Sequence, residues 1–258
     1  MLQILAIGDI VGTKTVELLR ERLWRVRDEL CVDLVIANGE NATDIHGLCA
    51  RDARALLDSG VDVITLGNHT YTMRDLHGFL ENNPQSIIRP ANYPPSAPGC
   101  GYTVRDVNGW RVLCLGVNGT TFMEPLDSPF TAIEKILDRE DGHYDIAVAD
   151  LHAEATSEKL ALARAFDGRL TVMFGTHTHV TTADEQVLPH GSGYITDLGM
   201  SGPVEGILGT KTEAVLTKMR HHMPAHFTVA EGEIRFSAAL FTVDPSAKRT
   251  MAVKRIQF

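Results

Sequence analysis

The chain opens on a short apolar run and then alternates such runs with amphipathic stretches as far as Gly175. Five runs matter: Leu2 to Ile7, Asp33 to Ala37, Val61 to Leu66, Tyr144 to Ala149 and Leu170 to Phe174. Each is rich in Val, Ile and Leu, as strands covered on both faces should be. Between them Val16, Leu19, Leu23, Val26 and Leu30 recur at helical spacing, as do Met73, Leu76 and Leu80. Both segments should therefore lay one stripe on a sheet. Ser128 followed by Pro129 predicts another helix start, with serine at the cap and proline in the first turn. Strands and helices alternating in this way build a mainly parallel sheet.

Other stretches ask for a second sheet. Prolines and glycines between Pro90 and Gly101 predict a loop. Asn108-Gly109, between Tyr102 to Val107 and Trp110 to Val117, is a strong hairpin signal. A helix is predicted around Thr212 to His222, and the tail from Phe227 to Phe258 alternates apolar and polar residues, with turns at Glu231-Gly232 and Pro245 to Lys248. Two sheets packed face to face and covered by helices accommodate all of these elements. The expectation is an α/β fold, a four-layer αββα sandwich of two mixed sheets flanked by helices, formed by residues 1–258 as one domain.

Composition narrows the function more than the fold. With 33 acidic against 24 basic residues the formal net charge is -9, which argues against duplex nucleic acid, because that binding neutralises many phosphates with Lys and Arg. A small phosphorylated substrate held by metal is not excluded. The opening segment lacks a basic leader and a small-residue cleavage site, and no apolar stretch reaches membrane length; the expected location is the cytoplasm, without a membrane partner. Cys31, Cys49, Cys100 and Cys114 have no paired spacing, so buried free thiols are expected.

Ligands in an open α/β sheet bind just beyond the carboxyl ends of the strands. All five apolar runs end in metal-ligand residue types: Gly8-Asp9; Asn38-Gly39-Glu40-Asn41; Gly67-Asn68-His69; Asp150-Leu151-His152; and Gly175-Thr176-His177-Thr178-His179. Any one of them is ordinary turn chemistry, but five together are not. Carboxylates from Asp9 and Glu40, amide oxygens from Asn41 and Asn68, and imidazoles from His152, His177 and His179 are too many donors for one ion. Glu40 can bridge two, since a carboxylate has two oxygens. Imidazole mixed with oxygen donors, and no thiolate, favours iron, manganese, zinc or cobalt over magnesium alone. His177 and His179, two apart in an extended conformation, would face the same side.

These residues carry a family resemblance. Gly67-Asn68-His69 and Gly175-Thr176-His177-Thr178-His179 resemble the Gly-Asn-His and His-x-His signatures of the calcineurin-like metallophosphoesterases. Gly8 to Gly12, Asn38 to Ala42, His152 to Lys159 and Asp197 to Met200 resemble the YmdB-like subgroup, and the match runs over nearly the whole chain. Val11 stands where the superfamily has a histidine, Glu40 replaces its bridging aspartate, and Thr70 and Tyr71 follow His69 where an acidic residue is usual. The resemblance implies two divalent or trivalent transition-metal ions, iron first among them. One would be held by Asp9, Glu40, Asn41 and His179, the other by Glu40, Asn68, His152 and His177. His69 is left free as the catalytic acid. The expected reaction is in-line attack on phosphorus by a metal-bridging hydroxide, with His69 protonating the departing alkoxide.

The resemblance implies 2',3'-cyclic nucleotides or related small phosphodiesters as substrates. A phosphomonoesterase or nucleotidase is one rival; a regulatory protein with a mainly structural metal site is another. A homo-oligomer is expected from the frequency of symmetric assemblies. Gly8 to Thr15 superficially suggests a phosphate-binding loop, but its spacing is wrong. Gly206 to Thr212 reads slightly better as a capped helix start than as a substrate loop. His221-His222, about 100° apart on a helix, reads better as a solvated face than as a joint ligand pair, and His46, His77, His143, His190 and His226 show no partner pattern.

Overall fold

The computed structural model describes residues 1–258. The chain first builds strand β1 (Leu2–Ile7), a short strand β2 (Asp9–Ile10), helix α1 (Thr13–Glu29), β3 (Leu34–Asn38), α2 (Ala50–Asp58), β4 (Val63–Thr65), α3 (Arg74–Asn82) and β5 (Ile87–Ile88). A second series follows: β6 (Tyr102–Val107), β7 (Trp110–Asn118), α4 (Pro129–Arg139), β8 (Ile146–His152), α5 (Thr156–Ala165), β9 (Val172–Thr176), β10 (Gln186–Val187) and β11 (Gly193–Ile195). The chain closes with β12 (Met200–Pro203), α6 (Thr212–His221), β13 (Ile234–Arg235), β14 (Ser237–Asp244) and β15 (Arg249–Gln257).

Two six-stranded sheets result, in the orders β15-β14-β1-β3-β4-β5 and β10-β11-β9-β8-β7-β6. In the first, β1, β3, β4 and β5 run parallel while β14 and β15 add on antiparallel. In the second, β7, β8, β9 and β11 run parallel between antiparallel β6 and β10. The five predicted strands are therefore divided, three in one sheet and two in the other, rather than joined in one. Their edges meet because the sheets face each other. A small third sheet, β13-β12-β2, carries Asp9.

Alternation along each strand makes the layers. Ile4 and Ala6 of β1 and Leu34 and Ile36 of β3 point inward against Val112, Val148, Val172 and Phe174 of the opposite sheet. Leu5, Ile7, Val35 and Ala37 point the other way, onto Val16, Leu19 and Leu23 of α1 and Leu56 of α2. On the far side Leu113, Ala147, Leu151 and Met173 pack against Ile133 of α4 and Leu162 of α5. Each fully buried Leu, Ile or Val of this kind contributes about 1.5–3 kcal/mol, so period-2 patterning with apolar residues on both faces fixes helix, sheet, sheet, helix. The expected αββα sandwich is the one observed.

Several local signals match the structure. Asn108 and Gly109 both have positive φ, 53° and 84°, the requirement of the tight turn that joins β6 to β7. Ser128 stands at the N-cap of α4 with Pro129 in the first turn, although its side chain makes no capping bond. The cysteines correct the expectation: all four are free, but only Cys114 is buried, while Cys31 and Cys100 are exposed. No helix is long and apolar enough to cross a membrane.

Candidate metal centre

The residues that end the parallel strands of both sheets converge on one edge. His152, the last residue of β8, is the hub: its Nε2 lies 2.9 Å from Asn68 Oδ1, 3.2 Å from His177 Nδ1 and 3.3 Å from Glu40 Oε1. A second group adjoins it. His179 Nε2 is 3.8 Å from Asp9 Oδ1 and 3.4 Å from the Asn41 amide nitrogen, which also donates to Glu40 Oε1 at 3.1 Å. His69 donates its backbone N–H to Glu40 Oε2 at 2.9 Å, and its ring nitrogen Nε2 is 3.3 Å from the Asn68 amide. All eight predicted side chains are thus brought together.

Each imidazole is held from behind so that one nitrogen faces the cluster. Thr176 donates to Asp150 at 2.6 Å, which leaves its oxygen free to accept from His152 Nδ1 at 2.8 Å. Glu154 takes His177 Nε2 at 3.1 Å, and the Leu208 carbonyl takes His179 Nδ1 at 3.3 Å. With one nitrogen engaged from behind, each ring can offer the other to an ion, the arrangement that metal-ligating histidines require. Asp150 is itself held by Thr65, at 2.5 Å, and Asn38, at 3.1 Å.

The donors fit cations. Lone pairs and carbonyl oxygens that face one another repel unless a proton or a metal lies between them. Two donors about 2.1 Å from one ion stand roughly 3–3.5 Å apart, and the contacts around His152 Nε2 match that spacing. Glu40, His152 and His177 form a set whose ligand atoms lie within 4.8 Å of one another. Asp9 Oδ1 and Asn41 Oδ1 are buried without a hydrogen-bond partner, a costly state that an ion would relieve. A half-turn of the Asn41 amide would bring its oxygen to the position its nitrogen occupies, beside His179 Nε2 and Glu40.

The profile of the YmdB-like protein family matches residues 5–256. The chain belongs to that family. It is 39% identical over 255 residues to the 2',3'-cyclic-nucleotide 2'-phosphodiesterase of Bacillus subtilis (strain 168), covering 99% of this chain and 96% of that one. Among solved structures it is similar to a hypothetical protein from Thermus thermophilus, with a TM-score of 0.93, 39% identity and coverage of 100% and 99%. A novel phosphatase of Mycoplasma pneumoniae also has a TM-score of 0.93, at 31% identity, with 100% of this chain and 93% of that one covered.

In this YmdB-like chain the His-x-His segment is not extended as expected. Strand β9 ends at Thr176, and His177 and His179 both take positive φ, 96° and 63°. Non-glycine residues there cost of order 1–3 kcal/mol and persist only where surrounding contacts hold them. Those contacts come from Asp197, which accepts from Thr178 Oγ1 at 2.8 Å, from Gly199 N at 2.8 Å and from the buried Lys159 Nζ at 2.6 Å. The two rings reach the site from a pinned turn rather than from one face of a strand. Gly67 matters for a related reason: a Cβ there would overlap His152 Nε2, so only glycine lets the ring lie on that backbone.

Several participants were not assigned from sequence. His46, read as unpartnered, stacks on His69 with ring centroids 4.3 Å apart. The Asn68 amide contacts the same ring from another side. The Gly206 to Thr212 segment is more than a helix start: Ile207 and Thr210 pair across a tight turn in which Leu208 and Gly209 have positive φ, 50° and 84°, and the Leu208 carbonyl meets His179. Nothing in the sequence marks a backbone carbonyl. Asp150 and Thr176 did leave a signal, as polar residues within otherwise apolar strands.

Burial and neighbouring charge poise the cluster. Burial pushes the Asp9 carboxyl up to about 6, against the pull of His179 and His152. For Glu40 burial also raises, but His152 and His69 outweigh it and bring the carboxyl down to about 2. For His152 burial lowers, and the Glu40 and Asp9 carboxylates outweigh it, raising the ring to about 9. Burial, with His152 beside it, takes His177 down to about 3. His152 and Asp9 thus both bind protons more tightly in the metal-free folded protein than when unfolded. His152 contributes stability that is full below about pH 6.5 and lost as pH rises through 9; Asp9 adds a penalty that grows between pH 4 and 6. Glu40 and His177 act oppositely, Glu40 as pH falls from about 4.5 through 2 and His177 as it falls from about 6.5 through 3. Chelator-treated protein should therefore lose melting temperature between about pH 7.5 and 9, above the range in which the unfolded histidines titrate. A midpoint that rises across that window would contradict the assignment.

Proposed function

We propose that this chain is a metal-dependent phosphodiesterase that hydrolyses 2',3'-cyclic nucleotides or related small diesters, acting in the cytoplasm with residues 1–258 as one domain. The observation that carries this reading is the set of three imidazoles, two amides and two carboxylates whose donor atoms face one another at the meeting edge of both sheets. The activity of the Bacillus subtilis relative, a 2',3'-cyclic-nucleotide 2'-phosphodiesterase, supports the same substrate class.

Asp9, Glu40, Asn41 and His179 would hold one ion, and Glu40, Asn68, His152 and His177 the other; iron, manganese, zinc and cobalt all suit this donor set. When bound, the pair would lower the pKa of water and offset the charge that builds on the phosphoryl oxygens. The chain's own residues then complete the site. His69 stands beside the donors without being one of them, and delivers a proton to the departing alkoxide. Burial lowers the pKa of its ring, even against the opposing pull of Glu40, which makes its protonated form a stronger acid than a free histidine. His46 and Asn68 fix that ring in place. Thr176, Glu154 and the Leu208 carbonyl keep the ligand nitrogens aimed at the cluster.

Comparing bis-p-nitrophenyl phosphate with p-nitrophenyl phosphate, on manganese- or iron-loaded protein, tests the reaction class. The expected outcome is a kcat/KM at least about tenfold higher for the diester, a difference of roughly 1.4 kcal/mol in transition-state stabilisation. A preference for the monoester would move the assignment to a phosphatase or nucleotidase.

A further inference from the structure

The cleft above the metal centre has about 400 Å³ of space and two unlike sides. One side is the polar cluster already described. The other is apolar: Ile45, Ile207, Leu208, Val215, Met219 and Phe227 line it. Five of these six come from one span, the Leu208-Gly209 turn, helix α6 and the strand-like return after it. Val215 and Met219 lie four apart and so share one face of α6.

Much of this wall is open to solvent. Met219 is 69% exposed, Leu208 50% and Phe227 38%, and α6 buries Val215 alone. A helix whose apolar side chains turn toward an open cleft gains little from the core. The wall is also tied to the reaction site directly, because the turn that supplies Ile207 and Leu208 is the one whose carbonyl orients His179. A diester whose phosphorus sits at the donor cluster must place its organic half elsewhere in the same cleft, and this side offers a dry surface. Thr210 is the one hydroxyl among the wall residues of the 206–227 span.

We propose that this wall is the base subsite: Met219 and Phe227, backed by Val215 and Leu208, hold the aromatic heterocycle of a nucleotide by stacking and sulfur-aromatic contact. With so few polar groups the wall senses the presence of a flat base more than its identity, since stacking is tolerant of base type. The proposal rests on the phosphodiester reading above and adds what that reading leaves open, namely what the enzyme grips besides phosphate.

The test compares the protein with its Met219→Ser/Phe227→Ser variant; both side chains are exposed enough that the fold does not depend on them. Metal-loaded proteins are assayed on 2',3'-cyclic AMP and on glycerol 1,2-cyclic phosphate, which carries the same kind of ring without a base. The expected result is that the ratio of kcat/KM values, nucleotide over glycerol ester, falls about ten- to hundredfold in the variant. An unchanged ratio overturns the proposal. Calorimetric binding of 3'-AMP against ribose 5-phosphate reads the same wall without catalysis, so it decides the matter even if neither ester is hydrolysed, an outcome that would sink the phosphodiesterase reading instead. A variant that alters sedimentation while leaving both ratios intact would make the wall a contact between copies of this chain, and would likewise overturn the proposal.

Discussion

Replacing His69 with Ala should lower diester hydrolysis about a hundred- to ten-thousand-fold, the contribution of a positioned general acid, while the metal content of the protein stays as it was. The two outcomes separate because the residue touches the site twice. Its ring faces Asn68 and His46, away from any ligand role, whereas its backbone N–H donates to Glu40. Alanine keeps that N–H. A loss below about tenfold would remove the residue from the chemistry, and a loss of metal would make it a ligand. The variant also separates an enzyme from a regulatory protein: if the cellular role survives intact while hydrolysis is gone, that role is not catalytic.

The largest effect on stability is expected at Lys159. Its ammonium is buried and donates to Asp197 at 2.6 Å and to the Thr176 carbonyl at 2.7 Å. Truncation to Ala leaves the Asp197 carboxylate buried and unpaired, a change that costs about 3–5 kcal/mol, measured by urea unfolding. Because Asp197 also holds Thr178, the turn that presents His177 and His179 should loosen, and metal affinity should fall with it. A double change, Lys159→Met with Asp197→Leu, should be less destabilising than Lys159→Ala, since it leaves no lone buried charge. A cost under about 1 kcal/mol for the single variant would show that the pair does not anchor the turn.

Much of this was legible in the sequence because the signals were periodic or chemical. Alternating apolar runs gave the strands, and the type of residue after each run gave the donors. Boundaries moved where polar residues continue a strand: His152 and Thr176 pair in the ladder between β8 and β9, so both strands reach farther than apolar patterning predicts. The division of five strands between two sheets was hidden, because a strand's sequence does not say which sheet it joins. The support around the site was harder still. Lys159 occupies the apolar stripe of α5 with Leu162, Ala163 and Phe166, and a lysine at such a position calls for a buried partner, but only the fold identifies Asp197. The Leu208 carbonyl and the His46 ring act through position alone, and neither residue type announces that role.

In the proposed site, donors from Asp9 to His179 enclose a pair of cations. Elemental analysis of freshly purified protein, before any metal is added, tests it most directly, with the Glu40→Gln variant measured beside it. Close to two transition-metal ions per chain are expected, with a marked loss when the carboxylate that would serve both ions is neutralised. Protein that carries no transition metal and takes none up from solution, or a content indifferent to Glu40, would contradict it.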